Sequence, residues 1–263
     1  MYPEIQLGPL TLQTFGLMFA LGFLAAGALI AKRLKEIGKP TDWAYEMGFA
    51  ALIGGVVGSR LYFVVENWDS VRDDLLGNLF SGSGLVWYGG IVGGALAVLA
   101  WAWYRGFLGA ALFDLAAPAL ALGYAIGRIG CQLSGDGDYG RAWDGPWAMA
   151  YPEGTVPTDE TVHPTPIYET LAMGLGALIL WQLRDRFRAG VLFALYLLYA
   201  GAERFLVEFV RRNEDAVLGL TAAQIESLAI MLVGAGLIFA LRRRYGTLSR
   251  VDSSATAEPG MAG

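Results

Sequence analysis

Arginines and carboxylates within apolar stretches are the residues of this sequence best placed to do chemistry. Arg60, Arg128 and Arg204 lie within or at the rim of long apolar segments, and Glu208 follows Arg204 by four positions. A charge inside a bilayer costs at least about 2.5–3.5 kcal/mol, so such residues face a cavity or a partner. Arginine grips a phosphate through two parallel hydrogen bonds. The three arginines therefore predict a site for an anionic lipid headgroup. Structural pairing is the alternative, with Arg204 and Glu208 spaced to pair on one helical face.

Three other features of the sequence each allow a functional and a structural interpretation. His163, the only histidine, precedes an apolar stretch and is either a hydrogen-bonding anchor or the one histidine available for acid–base chemistry. Cys131 follows Arg128 by three residues and is either a small buried side chain or a reactive thiol. Gly89 and Gly90 begin a glycine-rich run that favours close helix packing or brings backbone N–H groups near a ligand.

The composition is that of an integral membrane protein. Of 263 residues, 55% are hydrophobic, 36 are glycine and 16% are charged, and the mean hydropathy is +0.46. A soluble domain has about 25% charged residues. The formal net charge of −5 leaves no basic footprint for nucleic acid, and a single cysteine excludes a disulfide framework. We expect no metal and no cofactor.

Seven apolar stretches each approach the roughly 20 residues that a helix needs to cross a bilayer. We therefore predict an all-α integral membrane fold with seven transmembrane helices, approximately at Thr11–Ile30, Ala44–Val65, Leu85–Tyr104, Ala110–Ile129, Pro166–Leu183, Val191–Val210 and Thr221–Leu241.

The distribution of basic residues predicts the orientation of these helices. Twelve of the 19 lysines and arginines follow the odd-numbered spans, on one side of the predicted topology. Because cytoplasmic loops are enriched in basic residues, the N-terminus is expected outside and the C-terminus in the cytoplasm. A long outer loop follows the fourth helix, and Arg60, Arg128 and Arg204 then map towards the outer ends of their helices. We expect one transmembrane domain over residues 1–250 and a disordered cytoplasmic tail over residues 251–263.

Four motifs, in order along the chain, resemble those of the prolipoprotein diacylglyceryl transferase family of bacterial inner membranes. Residues 127–140 are similar to the signature G-R-x-G-N-F-x-N-G-E-x-x-G, with one extra residue before the last glycine. The motif H-P-x-x-x-Y-E is matched by His163, Pro164, Tyr168 and Glu169. The motif R-F-x-x-E-F-x-R is matched by Arg204, Phe205, Glu208, Phe209 and Arg211, and single family positions are matched by Arg60 and Gln224.

The sequence departs from the family pattern at several polar positions. Phe15 stands where the family has a tyrosine, and Tyr88 replaces the histidine of an H-G-G motif. Two signature asparagines are replaced by Cys131 and Ser134, and the signature glutamate corresponds to Asp136 or, with the insertion, to Asp138. The arginines are kept, which favours retained phospholipid binding.

The resemblance implies a multi-pass enzyme of the bacterial inner membrane, without a cofactor. Such an enzyme transfers the diacylglyceryl group of phosphatidylglycerol to the lipobox cysteine of a prolipoprotein, forming a thioether and releasing glycerol phosphate. The catalytic residues implied are Arg128, Arg204, Glu208, Asp136, Asp138 and Tyr88. The substrate-binding residues implied are Arg60, Arg128, Gly89, Gly90, Cys131, Ser134, Gly135, Gly140, His163, Tyr168, Glu169 and Gln224.

Two other functions remain compatible with these residues. The first is a non-catalytic or re-purposed paralogue that binds anionic phospholipid, which the substitutions at Phe15, Tyr88 and Cys131 favour. The second is a small transporter, which is disfavoured because its charges are expected near the middle of the membrane rather than towards the outer rim. Membrane lipids are expected partners in every case.

Overall fold

The computed structural model describes residues 1–72 and 86–250. The predicted tail 251–263 and Leu85, the predicted first residue of the third span, lie outside the described residues. The helices are α1 Thr14–Glu36, α2 Trp43–Glu66, α3 Trp68–Val71, α4 Trp87–Tyr104, α5 Ala110–Ser134, α6 Thr165–Leu183, α7 Val191–Val207 and α8 Ala222–Tyr245.

Each of the seven predicted apolar stretches corresponds to a long helix in the described part of the chain. Four of them, namely α1, α2, α5 and α8, are long and apolar enough to cross a membrane, and Tyr88–Tyr104 of α4 is a shorter apolar helix. Exposed leucine, isoleucine, valine and phenylalanine side chains cover these helices, as expected for surfaces that face lipid. The protein is therefore of the helical membrane type. The count of seven crossings and their orientation stay predictions.

The predicted helical fold is confirmed, and short strands occur in addition to the helices. Three two-stranded antiparallel sheets are present among the described residues: β1 Glu4–Leu7 with β2 Leu10–Gln13, β3 Met149–Tyr151 with β4 Thr158–Val162, and β5 Asp215–Val217 with β6 Leu220–Thr221. All three lie between or before the long helices, where the backbone must find hydrogen-bond partners outside a helix. The first predicted span accordingly starts later, because Thr11 belongs to β2.

Met1–Gly22 and Ala116–Gly263 form one compact unit, here called the first unit. Its core is built from α5, α6 and α7 around Ala117, Ala121, Ala125, Met173, Ala177, Leu180 and Leu192. Small residues allow these helices to approach closely. Tyr199 of α7 donates a 2.6 Å hydrogen bond to the carbonyl oxygen of Ala172 in α6. A Cβ on Gly201 of α7 would lie 2.9 Å from the carbonyl oxygen of Ser227 in α8.

Phe23–Leu115 form the second unit, in which glycines determine how α2 packs on α4. A Cβ on Gly58 would overlap the carbonyl oxygen of Gly89 and lie 2.7 Å from the Cα of Gly93. The close-packing interpretation of this glycine spacing is therefore confirmed for these residues. The core of this unit contains Leu34, Ala44, Met47, Ala102, Leu112 and Leu115. Whether residues 1–250 form a single domain stays a prediction.

Candidate active site

Glu169 is the centre of a buried ionic network in the first unit. It lies near the start of α6, is fully buried, and forms ion pairs with Arg128 of α5 and Arg204 of α7. Arg204 Nη1 lies 3.2 Å from Oε1, and the Tyr124 hydroxyl donates a 3.0 Å hydrogen bond to the same oxygen. Arg211 adds a third ion pair at 3.7 Å. One carboxylate thus holds side chains from three separate segments in fixed positions.

Asp138 joins two of the same arginines from the loop that follows α5. Its carboxylate pairs with Arg128 and, at 2.5 Å, with Nη2 of Arg211. Burial raises the pKa of the Asp138 carboxyl, but the charges of Arg128 and Arg211 outweigh this effect and lower the pKa to about 2. Asp138 is therefore ionised at neutral pH and forms ion pairs with both guanidinium groups.

Glu208 completes the network one residue after the end of α7. Its Oε2 lies 3.3 Å from Nη2 of Arg204, which confirms the pair expected from their four-residue spacing. The other oxygen accepts hydrogen bonds from the Thr221 hydroxyl, at 2.9 Å, and from the Asn213 amide. Glu208 Oε2 forms ion pairs with Arg204 and, at 3.7 Å, with Arg211 Nε. It accepts no hydrogen bond from the described part of the chain.

We call these six side chains the arginine–carboxylate cluster: Arg128, Arg204, Arg211, Asp138, Glu169 and Glu208. Its three cations and three anions balance, so Arg128 and Arg204 have the partners that the pairing alternative expected. Binding of a lipid headgroup by Arg60, Arg128 and Arg204 stays a prediction. Buried charges need such partners because desolvation is costly. Arg204 is the most open of the three arginines, with 30% of its side chain exposed against 11% for Arg128 and 10% for Arg211.

The loop after α5 is fastened so that Asp138 faces the arginines. Gly140 N donates to the carbonyl oxygen of His163, and Arg141 N donates to that of Val210, each at 2.8 Å. A Cβ on Gly140 would overlap the carbonyl oxygen of Val210 and lie 2.9 Å from the Cβ of His163, so only glycine fits there. Gly135 has a φ of +58°, in the left-handed region that favours glycine. Both predicted glycines therefore shape the loop.

Cys131 and Asp136 lie beside the cluster. Arg128 Nη1 is 3.4 Å from the Cys131 sulfur, and possible ligand atoms of Cys131, Asp136 and Asp138 lie within 4.8 Å of one another. Three such donors can hold a metal ion, but the Arg128 guanidinium already occupies this corner and opposes a second cation. Burial raises the pKa of the Asp136 carboxyl. Asp136 thus differs from Asp138, whose pKa is lowered.

Several predicted site residues support this arrangement from its edge. The His163 ring stacks on Trp143 with the ring centres 4.4 Å apart, and Nδ1 lies 3.2 Å from the Tyr168 hydroxyl. His163 is thus held by stacking and a hydrogen bond, and burial lowers its pKa. Its substrate-binding role stays a prediction. The Ser134 hydroxyl donates to the carbonyl oxygen of Cys131 at 3.3 Å. Gln224 closes a capping box with Thr221 at the start of α8.

The sequence of the whole chain can now be compared with those of known proteins. A sequence profile described as prolipoprotein diacylglyceryl transferase matches residues 4–240. The chain belongs to this family.

Curated relatives of this chain carry the name phosphatidylglycerol–prolipoprotein diacylglyceryl transferase. The protein of Clostridium tetani is 33% identical over 84% of this chain and 89% of its own length. That of Leptospira interrogans is 34% identical over 76% of this chain and 72% of its own length. That of Mannheimia succiniciproducens is 33% identical over 90% of this chain and 92% of its own length.

The residues of the diacylglyceryl transferase motifs are divided between the two units. The motifs around Arg128, Glu169 and Arg204 lie in the first unit and meet in the cluster. The remaining predicted residues belong to the second unit, where Arg60 is buried in α2 at 8% exposure and Tyr88 of α4 is 55% exposed. The catalytic role of Tyr88 and the substrate-binding roles of Arg60, Gly89 and Gly90 stay predictions.

Two residues of this site were not predicted as site residues from the sequence: Arg211, which belongs to the cluster, and Tyr124, which donates a hydrogen bond to Glu169. Arg211 was named only as part of a motif, yet it contacts Asp138, Glu169 and Glu208. The spacing of Arg211 three residues after Glu208 was a signal that could have found it. Tyr124 carried no such signal, because a tyrosine within an apolar helix is common.

Proposed function

We propose that this chain transfers the diacylglyceryl group of phosphatidylglycerol to the lipobox cysteine of a prolipoprotein, at the outer face of the bacterial inner membrane. The proposal includes the predicted seven crossings with the N-terminus outside. The observation that carries it is the joining of Arg128 and Arg204 by Glu169, in a member of this transferase family. The names of the relatives support the substrate pair.

The reaction needs positive charge that is already in place. The acceptor thiolate attacks a glycerol carbon of the lipid, a carbon–sulfur bond forms, and the carbon–oxygen bond to phosphate breaks. Glycerol phosphate leaves with the bonding electrons, so negative charge grows on its oxygen. Arg128 and Arg204 are proposed to stabilise that charge. Each guanidinium has five N–H donors, so the bonds to Glu169 leave donors for a phosphate. Glu169 thereby prevents the two groups from reorganising during the reaction.

A base must also accept the proton of the acceptor thiol, and Asp136 fits this role better than Asp138. A carboxylate with a pKa of about 2, such as Asp138, holds a proton weakly. Burial raises the pKa of Asp136, which brings the carboxyl nearer to the operating pH of a general base. Glu208 is occupied by Thr221 and Asn213. We therefore propose Asp136 as the proton acceptor and Asp138 as a positioning residue for Arg128.

The arginine role is tested with membranes that contain the full chain, labelled phosphatidylglycerol and a prolipoprotein substrate. Arg128→Ala is expected to lower the transfer rate by at least about 100-fold, the loss typical of one preorganised donor to a developing oxyanion. The matched control is Arg242→Ala, because Arg242 is an exposed arginine in the last turn of α8. This variant is expected to keep the wild-type rate. Full activity of Arg128→Ala would remove this residue from the mechanism.

Complementation separates the transferase from a lipid-binding paralogue. The gene is expressed in a bacterium depleted of its own transferase, and growth and lipoprotein modification are measured. Rescue is the expected result. Failure to rescue, with normal levels of the protein in the membrane, would instead favour a binder that has lost the reaction.

A further inference from the structure

A second group of arginines lies at the other end of the first unit. Two segments meet there: residues 184–190, between α6 and α7, and residues 242–250, at and after the end of α8. Arg188 N donates to the carbonyl oxygen of Leu248 at 2.9 Å, and Arg250 N donates to that of Arg186 at 3.0 Å. We call this region the arginine-rich end.

A cavity of about 280 Å³ opens between the two segments and is lined by Arg188, Ala189, Tyr245 and Arg250. The Arg188 guanidinium lies 5.2 Å from the centre of the Tyr245 ring. Its Nε atom is buried, and no hydrogen-bond acceptor for it exists among residues 1–72 and 86–250. A buried N–H donor without an acceptor is costly, so this atom indicates that the cavity takes a ligand with acceptor oxygens.

The charges around this cavity favour an anion. The arginine-rich end contains seven arginines and one acidic residue, Asp185. Arg250 lies 3.9 Å from that carboxylate, and 57% of its side chain is exposed. Arg184 lies 3.6 Å from the same carboxylate. One carboxylate shared between two arginines leaves a large surplus of positive charge, which attracts phosphate groups.

The cavity is separate from the arginine–carboxylate cluster. Glu169 lies near the start of α6, and Arg184 follows its last residue. Fifteen residues of α-helix correspond to about 22 Å along the axis. The arginine-rich end also adjoins the end of α8, a helix long and apolar enough to cross a membrane. Basic pockets at the ends of such helices lie at the depth of lipid headgroups.

We propose that this cavity binds the phosphate group of an anionic phospholipid, in the leaflet opposite to the one that holds the donor lipid. Arg188 Nε donates to a phosphate oxygen, and Arg250 supplies the second cation from the C-terminal segment. Binding fastens residues 242–250 onto the loop between α6 and α7. The choice of leaflet rests on the orientation proposed above, whereas binding of a phosphate group in the cavity does not require the transfer reaction.

The test is amide hydrogen exchange of the full chain in lipid nanodiscs. Peptides covering residues 184–190 and 242–250 are followed in phosphatidylcholine nanodiscs with and without phosphatidylglycerol. At a lipid level of about ten times Kd, bound lipid slows exchange of these amides about tenfold. A third sample, phosphatidylcholine with millimolar inorganic phosphate, distinguishes a headgroup from the free anion. Slow exchange only with phosphatidylglycerol supports the proposal, and equal protection by inorganic phosphate would overturn the assignment to a lipid.

Variants separate this cavity from general attraction between arginines and anionic lipid. Arg188→Gln is expected to raise Kd about tenfold, as for loss of a charge-assisted hydrogen bond, which leaves only about twofold protection at the same lipid level. Arg242→Gln removes the same charge from the same end without lining the cavity, and it is expected to keep the protection. Arg250→Gln, at an exposed position, is the second test if Arg188→Gln does not fold. Equal losses in the control and in the cavity variants, or no protection in the wild type, would overturn the proposal.

Discussion

The two ends of the first unit both concentrate arginine, but in opposite electrostatic settings. In the arginine–carboxylate cluster, three arginines meet three carboxylates, and Glu169 and Glu208 are fully buried. At the arginine-rich end, seven arginines are accompanied by one carboxylate, that of Asp185, whose side chain is 56% exposed. The number of arginines is larger where burial is smaller. Since water and lipid phosphates stabilise exposed guanidinium groups, only the buried end must supply its own counter-charges.

This contrast teaches that an arginine's partners, rather than its presence, indicate its role. In the cluster, shared carboxylates fix the guanidinium groups before any substrate arrives, which suits transition-state stabilisation. At the arginine-rich end, the surplus charge suits binding of an anion that the chain does not itself contain. The predictions below test this difference, beginning with the largest effect.

Neutralising a single carboxylate at each end should give the largest difference in stability. Glu169→Gln leaves buried guanidinium charge uncompensated and is expected to lower the free energy of unfolding by about 3–5 kcal/mol. Asp185→Asn removes an exposed partner and should change it by at most about 0.5 kcal/mol. Denaturant unfolding of the full chain in detergent, followed by tryptophan fluorescence, measures both. Similar effects of the two substitutions would refute the contrast.

Glycine substitutions compare the packing at the two ends. Gly140→Ala places a Cβ against the carbonyl oxygen of Val210 and is expected to cost up to about 3 kcal/mol from overpacking. Gly246→Ala has no atom within 4 Å of the new Cβ but a φ of +74°, so only the left-handed conformation is penalised, by about 1 kcal/mol. The same unfolding measurement ranks them. A larger effect at Gly246 would show that the loop holding Asp138 adapts.

Acid should loosen the cluster before it affects the arginine-rich end. The folded pKa of Asp138 is about 2, below the unfolded value of roughly 3.9, so its contribution to stability is present above about pH 4 and is lost as the pH falls towards 2. The protection factors of residues 135–141, which correct for the intrinsic pH dependence of amide exchange, are expected to fall over that range, while those of residues 184–190 change less.

Asp138→Asn provides the control for this pH dependence, because it cannot ionise. Its loop should exchange faster than wild type at pH 6 and show little further change down to pH 3. A wild-type profile that is flat between pH 5 and pH 3 would mean that Asp138 is not held by Arg128 and Arg211.

Much of the helical framework was predictable because its signals are local. Apolar stretches indicated the seven long helices, and the four-residue spacing of Arg204 and Glu208 indicated their ion pair. The three small sheets were not predicted, because strands of two to five residues are too short for a periodic pattern to stand out, even where β1 and β2 alternate apolar and polar residues. The sixth span was predicted to reach Val210, but α7 ends at Val207 and a 3₁₀ turn follows over Glu208–Val210.

The amino-acid sequence by itself determined that this is a helical membrane-type protein of the prolipoprotein diacylglyceryl transferase family, with arginines in costly positions. Only the tertiary structure decided which charges neutralise them. Asp138 and Arg211 lie 73 positions apart, and Arg128 and Glu169 lie 41 apart. No periodic pattern extends over such separations. Their pairing arises because packing of α5, α6 and α7 removes these groups from water together, and each buried charge must then find its partner within the fold.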